Sequence, residues 1–266
     1  MKPPVFNPEW SADVLALYRH DMQEIWDRGI APQIWNQYHN QLALYLGIAG
    51  DRPLRILDVG SAQATLALLL AERGHRVLAV DIRPQFLEYA RARHTQGDIQ
   101  FLAANVLEDE IPGGHDLIFA NQIIEHLVYP AELLARLQRL LKPGGRLVTT
   151  TPNSAYLKNG LPSYTQLGDP RDWEHLQFSA DGDGHFFAYR ADELRKLYLS
   201  AGFEQVATRF FETPFINGQM KLRYLHGFVP SLVLQILDRA ALSLPGIGMT
   251  FAHQLLATGL RSSNAT

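Results

Sequence analysis

The sequence predicts a doubly wound, mostly parallel α/β sheet, and three observations predict it. Short, continuous apolar runs recur at 55–60, 75–82, 99–105, 116–121 and 146–153. Helical patterns at 65–74, 84–94 and 132–141 separate most of them. Gly60, Asp81, Asn105, Asn121 and Asn153 stand at or just after the ends of the five runs. Strands apolar on both faces are buried on both faces, which is the condition of parallel strands covered by helices. Right-handed crossovers then wind helices onto each side.

Taken in order, residues 9–48 read as helix. Trp10, Val14, Leu17 and Tyr18 recur at helical spacing, and so do Ile34, Tyr38, Leu42, Tyr45 and Leu46 after a break at Pro32. RILDVG is a first strand ending in glycine, and TLALLLAERG is a helix that Gly74 stops. HRVLAVDI is a second buried strand, followed by a helix with Pro84 near its start. IQFLAAN and DLIFAN are the third and fourth strands. ELLARLQRLL is a helix closed by KPGG, and RLVTTTPN is the fifth strand. Residues 154–190, rich in Gly, Pro, Asp and aromatics, read as long loops. ADELRKLYLSAGF is a helix ended by Gly202, with a strand over 203–211. Residues 230–260 read as two apolar helical segments split by Pro245 and Gly246. The expected organisation is an N-terminal helical cap (1–50), an α/β domain (51–215, with a substrate-side insertion at 154–190) and a C-terminal helical extension (216–266).

Bulk composition narrows the functions. The 266 residues are 47% hydrophobic and 19% charged, enough for a packed core. A net charge of −3 without a basic cluster argues against nucleic acid as partner. The absence of cysteine excludes thiolate catalysis and cysteine-ligated zinc. MKPPVFNPEW holds no apolar run of signal-peptide length, and no stretch reaches the roughly 18 apolar residues of a membrane span. The expectation is a cytoplasmic protein.

In such sheets ligands bind at the carboxyl ends of the strands. The loop after the first strand carries only Gly60, followed by the small residues Ser61, Ala62 and Ala64, and opens into a helix whose free N–H groups face a ligand. It contains neither a phosphate loop of the Lys-Ser/Thr type nor a complete G-x-G-x-x-G. Asp81, about twenty residues on, is placed to accept both hydroxyls of a ribose or else to cap the next helix. Asn105 suits either an adenine edge or a turn that bonds its own backbone.

DVGSAQA, VLAVDI, FLAANVL and DLIFANQIIEHLVYPAELLARLQRLLKPGGRLVTTTPN occur in this order over residues 54–153. Together they resemble the class I S-adenosylmethionine-dependent methyltransferases, in particular the ubiquinone-biosynthesis-like O-methyltransferase branch. GHFFAYRADELRKLYLSAGF adds a weaker match. The resemblance implies a Rossmann-like methyltransferase fold with S-adenosylmethionine as cofactor and S-adenosylhomocysteine as product. The family's first motif is acidic-x-Gly-x-Gly-x-Gly; Asp58 and Gly60 match it, while Ala62 and Ala64 replace glycines. If their φ stays negative the loop takes a slightly altered course. By carry-over, Gly60, Ser61 and Ala62 meet the methionine part, Asp81 the ribose and Ile82 the adenine, while Asp58 and Val106 fall at cofactor-binding positions. Asn105 replaces the acidic residue common at its place, and its amide can still donate or accept near the adenine. Asn121 and Gln122 line the methionine end. Gln33, Tyr38 and His39 of the N-terminal helices suit either lid contacts or, with Trp35 and Leu42, a packed helix face.

If the acceptor is a hydroxyl, a general base near neutral pKa helps. His126 is the first candidate. Relatives that use Mg²⁺ are similar in having Glu-x-x-Glu-His here; this chain has Gln122 before Glu125 and His126, so no metal is expected. Asp183 and His185, in DGDGH, are a second candidate pair, and His175 a third. Tyr156, Tyr164, Trp173, Phe178, Phe186, Phe187 and Tyr189 suit either a pocket wall or a subdomain core. PSLVLQILDRAALSL and IGMTFAHQLLATGL are too short to span a bilayer; they suit core packing, a homodimer interface or peripheral membrane contact. The expected acceptor is small-molecule, glycan or lipid-linked. A nicotinamide-dependent oxidoreductase and a non-catalytic cofactor-binding scaffold are the competing readings.

Overall fold

The structure, a computed structural model, describes residues 1–176 and 185–263. Its elements are α1 (Ala12–Asp21), a π-helical turn (Met22–Trp26), α2 (Pro32–Ala49), β1 (Arg55–Val59), α3 (Thr65–Glu72), β2 (Arg76–Asp81), α4 (Pro84–Arg93) and β3 (Asp98–Ala103). Then come β4 (His115–Asn121), α5 (Pro130–Leu140), β5 (Leu141–Pro152), α6 (Ala191–Ser200), β6 (Phe203–Phe211), α7 (Pro214–Asn217), α8 (Ser231–Ser243), α9 (Ile247–Phe251) and β7 (Gln254–Arg261). The sheet has seven strands in the order β3-β2-β1-β4-β5-β7-β6, a mostly parallel α/β arrangement as predicted.

The chain divides into two compact units: residues 1–110 with 214–239, and residues 111–213 with 240–266. In the first, β3, β2 and β1 run parallel. Val77, Leu78, Ala79 and Val80 of β2 and Ile56, Leu57 and Val59 of β1 are all buried, which explains their unbroken apolar runs. Pro32 and Pro84 start α2 and α4, where a missing N–H costs nothing.

In the second unit β4 and β5 are parallel, while β7 lies antiparallel between β5 and β6. This corrects the helical reading of 247–260: only Ile247–Phe251 is helix, and QLLATGLR is strand. The run is apolar and short, so periodicity could not separate the two states. Pairing decided it, because both edges of β7 are satisfied by neighbours distant in sequence. Gly259 sits where a Cβ would fall 2.8 Å from Tyr198 and 2.9 Å from Phe203. The C-terminal part is therefore not one helical extension. Residues 214–239 belong to the first unit and 240–266 to the second.

Candidate active site

The first unit holds the loop after β1. Gly60, Ala62 and Ala64 have φ of +65°, +46° and +53°. Negative φ at the two alanines, the condition for a slightly altered course, is thus not met: the loop keeps the left-handed course that glycine favours. Left-handed backbone costs an alanine roughly 1–2 kcal/mol. The surrounding hydrogen bonds hold it there: Ser61 N donates to Val80 O at 3.0 Å, Ala64 N to Ser61 O at 2.6 Å, and Ala62 N to Asp81 Oδ2 at 2.8 Å. Such strain is retained where structure over-determines it, often at functional loops.

Asp81 ends β2 and is almost fully buried. Besides Ala62 it accepts from Arg83 N at 3.0 Å and Arg83 Nε at 3.2 Å. It therefore holds the loop and orients Arg83; a carboxylate offers about four acceptor sites, which leaves room for one more donor. Ile82 beside it is 51% exposed, an uncovered apolar side chain where an adenine face is expected. Ser61 Oγ is buried with no partner among the described residues. An exposed Gly60, an orphaned hydroxyl, a carboxylate and a bare isoleucine fit S-adenosylmethionine.

Asp58 is buried and its carboxyl accepts from the Ala67 amide in the first turn of α3. Burial first, then the charge of Asp81, pushes it up to about 7. Asn105 Oδ1 accepts from Leu107 N at 3.0 Å, the turn geometry that the sequence left open, and Val106 is half-buried next to it.

Sequence reasoning missed Gln63. Its Nε2 donates to Glu24 Oε2 at 2.7 Å and to Tyr38 Oη at 3.2 Å. Tyr38 thus reaches the loop through Gln63. Gln33 lies elsewhere in the unit, against Gly218, and His39 stacks on Trp35. Beneath the loop, Arg93 pairs with Asp21 at 2.8 Å and donates to Gln63 O at 2.7 Å and Thr65 Oγ1 at 3.0 Å. Tyr89 and Trp26 also donate to Asp21. The π-helical turn places Glu24 in this network, where burial and then Asp21 push its carboxyl up to about 8. No local pattern joins Asp21, Gln63 and Arg93, so only the fold reveals them.

The second unit gathers a histidine and carboxylate cluster. Glu125 and His126 lie in a 3₁₀ turn after β4. His185 Nε2 is 3.9 Å from Glu125 Oε1, and the His126 and His185 rings meet edge-on at 4.7 Å. Glu125 is fully buried, and burial pushes it up to about 8. Burial, then the charges of His126 and His253, push His185 down to about 4. Gln122, left-handed at φ +53°, lies 3.1 Å from Glu125 Oε1 when its amide nitrogen faces that oxygen. Asn121 Oδ1 accepts from Thr150 Oγ1 at 3.1 Å.

A dyad that the sequence reading missed stands in the same unit. His253 Nδ1 is 3.1 Å from Oε1 of the fully buried Glu212, and His253 N donates to Glu212 O at 2.8 Å. These residues come from the end of β6 and the start of β7, segments with no recognisable motif. Asp183 and Phe178 lie outside the described residues. His175 is exposed and apart from the cluster of Glu125, His126 and His185. Tyr156, Phe186, Phe187 and Tyr189 are buried, so most of the aromatics form core. The ligand atoms of Glu125, His126 and His185 all lie within 4.8 Å of one another. The expectation of no metal rested on the amide at Gln122; it did not reckon with His185, which the fold brings in from far along the chain.

The methyltransferase domain profile matches residues 18–208. An uncharacterized methyltransferase of Mycobacterium tuberculosis is 36% identical over 107 residues, covering 40% of this chain and 54% of that protein. A ubiquinone biosynthesis O-methyltransferase of Xylella fastidiosa is 36% identical over 103 residues, covering 37% of this chain and 42% of that protein. The chain spans about half the length of the curated relatives it matches. The N-methyltransferase NodS of Bradyrhizobium japonicum, solved with S-adenosyl-L-homocysteine, shares the fold. Its TM-score is 0.54 at 17% identity, covering 94% of this chain and 98% of that one. With a family match over well more than half its length, the chain belongs to the methyltransferase domain family, the class I enzymes whose cofactor is S-adenosylmethionine.

Proposed function

We propose that this chain methylates a hydroxyl oxygen of a small or lipid-linked acceptor, such as a sugar, a glycan or a phenolic metabolite. The observation that carries the reading is the pairing of His253 with the buried Glu212 at 3.1 Å, in the unit that also holds His126 and His185. A carboxylate and the Gln254 amide, each 3.1 Å from Nδ1, orient the ring and leave Nε2 as the nitrogen that could take a proton. A neutral hydroxyl is a weak nucleophile that must lose its proton during the transfer, so a positioned base helps. When bound, S-adenosylmethionine supplies an electrophilic methyl on sulfur. The loop after β1, with Gly60, Ser61 and Ala62, and the end of β2, with Asp81 and Ile82, would hold it, with Tyr38 acting through Gln63. His253 or His126 would take the acceptor's proton as the O–CH₃ bond forms and the methyl's bond to sulfur breaks, leaving S-adenosylhomocysteine.

Calorimetry with S-adenosylmethionine, S-adenosylhomocysteine and NAD, then a hydroxyl-acceptor screen, tests the reading. The two sulfur compounds bind and NAD does not. Replacement of His253, His126 and His185 by alanine, one at a time, then finds the base. Full turnover in all three variants would sink base-assisted O-methylation.

A second reading is favoured by the closeness of Glu125, His126 and His185. Two imidazoles and a carboxylate suit a divalent cation of the Zn²⁺ or Mn²⁺ kind. Such an ion would polarise the acceptor oxygen, and it would also compensate the otherwise costly burial of Glu125. Turnover abolished by a chelator and restored by added metal supports this reading; turnover indifferent to both removes it.

A further inference from the structure

A cavity of about 620 Å³ in the first unit lies apart from the β1 loop, lined among others by Gln33, Asn217, Gln219, Lys221, Arg223 and Tyr224. Every charged group of its lining is a cation. Asn217 is 8% exposed, and its Nδ2 has no partner among the described residues. Its Oδ1 is taken by Gln219 N at 2.9 Å, which fixes the amide and leaves Nδ2 as the unused donor. Lys221 and Arg223 are exposed, and no carboxylate pairs with either among the described residues. Met220 and Lys221 are consecutive left-handed residues, at φ +56° and +67°, so the turn is held against its preference. A buried unused N–H, an ammonium and a guanidinium together match an ionised phosphate.

The next segment is built inside out. On α8, Leu232, Val233, Ile236 and Leu237 are exposed, while Leu234 and Asp238 are buried. Phe228, just before the helix, is 74% exposed. A helix that turns its acid inward and its aliphatics outward is not arranged for water. Over residues 214–239 the only acid is that buried Asp238, while Lys221, Arg223 and Arg239 are exposed cations. The segment is clamped to α2 and to the turn before it: His226 Nδ1 and Asn36 Nδ2 are 2.9 Å apart, Ser231 Oγ donates to Asn36 Oδ1 at 2.6 Å, and Arg28 Nη2 in the turn donates to His226 O at 3.1 Å. The same helix carries Tyr38, which touches Gln63 of the cofactor loop.

We propose that the cavity receives the phosphate of an anionic lipid while Phe228 and the outer face of α8 enter the interface of its membrane. Aliphatic and aromatic side chains flanked by cations are the pattern of interfacial attachment to anionic lipid. A two-fold contact through this segment is disfavoured, because the segment has three exposed cations and no exposed acid of its own to pair with a second copy's. The proposal rests on the lipid-linked acceptor of the proposed function, yet its readout needs no turnover.

The full chain is spun with vesicles of phosphatidylcholine, with and without phosphatidic acid, at low and high salt. The protein pellets with the anionic vesicles at low salt and is released as salt rises. Lys221→Glu with Arg223→Glu weakens this binding about tenfold or more, and so does Ile236→Asp, while calorimetric affinity for S-adenosylmethionine stays as in the native chain. The proposal is overturned by equal pelleting of the charge-reversed variant or by no pelleting at all. It is equally overturned by saturable inorganic phosphate binding without vesicle binding, which makes the ligand a soluble phosphate. A dimer by light scattering that Ile236→Asp dissolves assigns the face to a second copy. Failure of any of these leaves methyl transfer to a soluble acceptor untouched.

Discussion

The loop after β1 in the first unit and the histidine cluster of the second are assembled in opposite ways. Gly60 to Ala64 are consecutive, and Asp81 follows at the next strand end. Gln122, Glu125, His126, His185, Glu212 and His253 come from four separate segments. A loop that binds an invariant ligand can be carried by local sequence, because strand, turn and helix start are neighbours on the chain. A site for an acceptor is built from whatever the strand ends and connections bring together, and it leaves no compact signature.

The sharpest way to break this comparison is His253→Ala. If the dyad is the acceptor's base, turnover falls about 10²-fold or more, with the affinity for S-adenosylmethionine unchanged in calorimetry. Unchanged turnover would return the role to His126 and make the dyad structural. Asp81→Ala acts on the other region. If Asp81 binds the ribose as proposed, the change removes that acceptor and also the brace on Ala62 and Arg83, so cofactor affinity drops at least about tenfold. An unaltered dissociation constant would show that the loop binds without it.

The effect of pH on folding follows from burial in both units. Glu24 and Glu125 are raised to about 8 and Asp58 to about 7, in each case first by desolvation. The folded chain therefore holds protons that the unfolded chain has released. Stability is fully present below the ordinary carboxylate range and is lost as pH climbs towards about 8. Denaturant midpoints at about pH 5 and about pH 8 measure the slope, and Glu24→Gln flattens part of it. A slope identical in that variant would show that Glu24 titrates normally. The smallest effect is expected at the loop itself. Ala62→Gly relieves a left-handed alanine and stabilises by about 1 kcal/mol or less, since the flexible glycine gives part of the gain back. A loss of stability there would mean the alanine methyl packs usefully against its neighbours.

Much of the frame was legible. β1, β2, α4, β4 and α5 fall within a few residues of their expected spans because their burial is uniform or strictly periodic. β6 begins and ends where its pattern did. β7 was misread because QLLATGLR is equally apolar as helix or strand, and only its two antiparallel neighbours decide between them. Gln63 lay inside a recognised motif yet looked like filler; its value comes from Glu24 and Tyr38, tens of residues away.

By itself the sequence determined the parallel α/β frame and the place of the small-residue loop after β1, because apolar periodicity and turn residues act over a few neighbours. It also carried the ordered motifs from which the family could be read. The left-handed course of Ala62 and Ala64, the Asp21–Arg93 network beneath the loop, the Glu212–His253 dyad and the outward apolar face of α8 were decided only in the tertiary structure. Each depends on contacts between residues far apart in the chain, and the energy of such contacts exists only once the fold has brought them together.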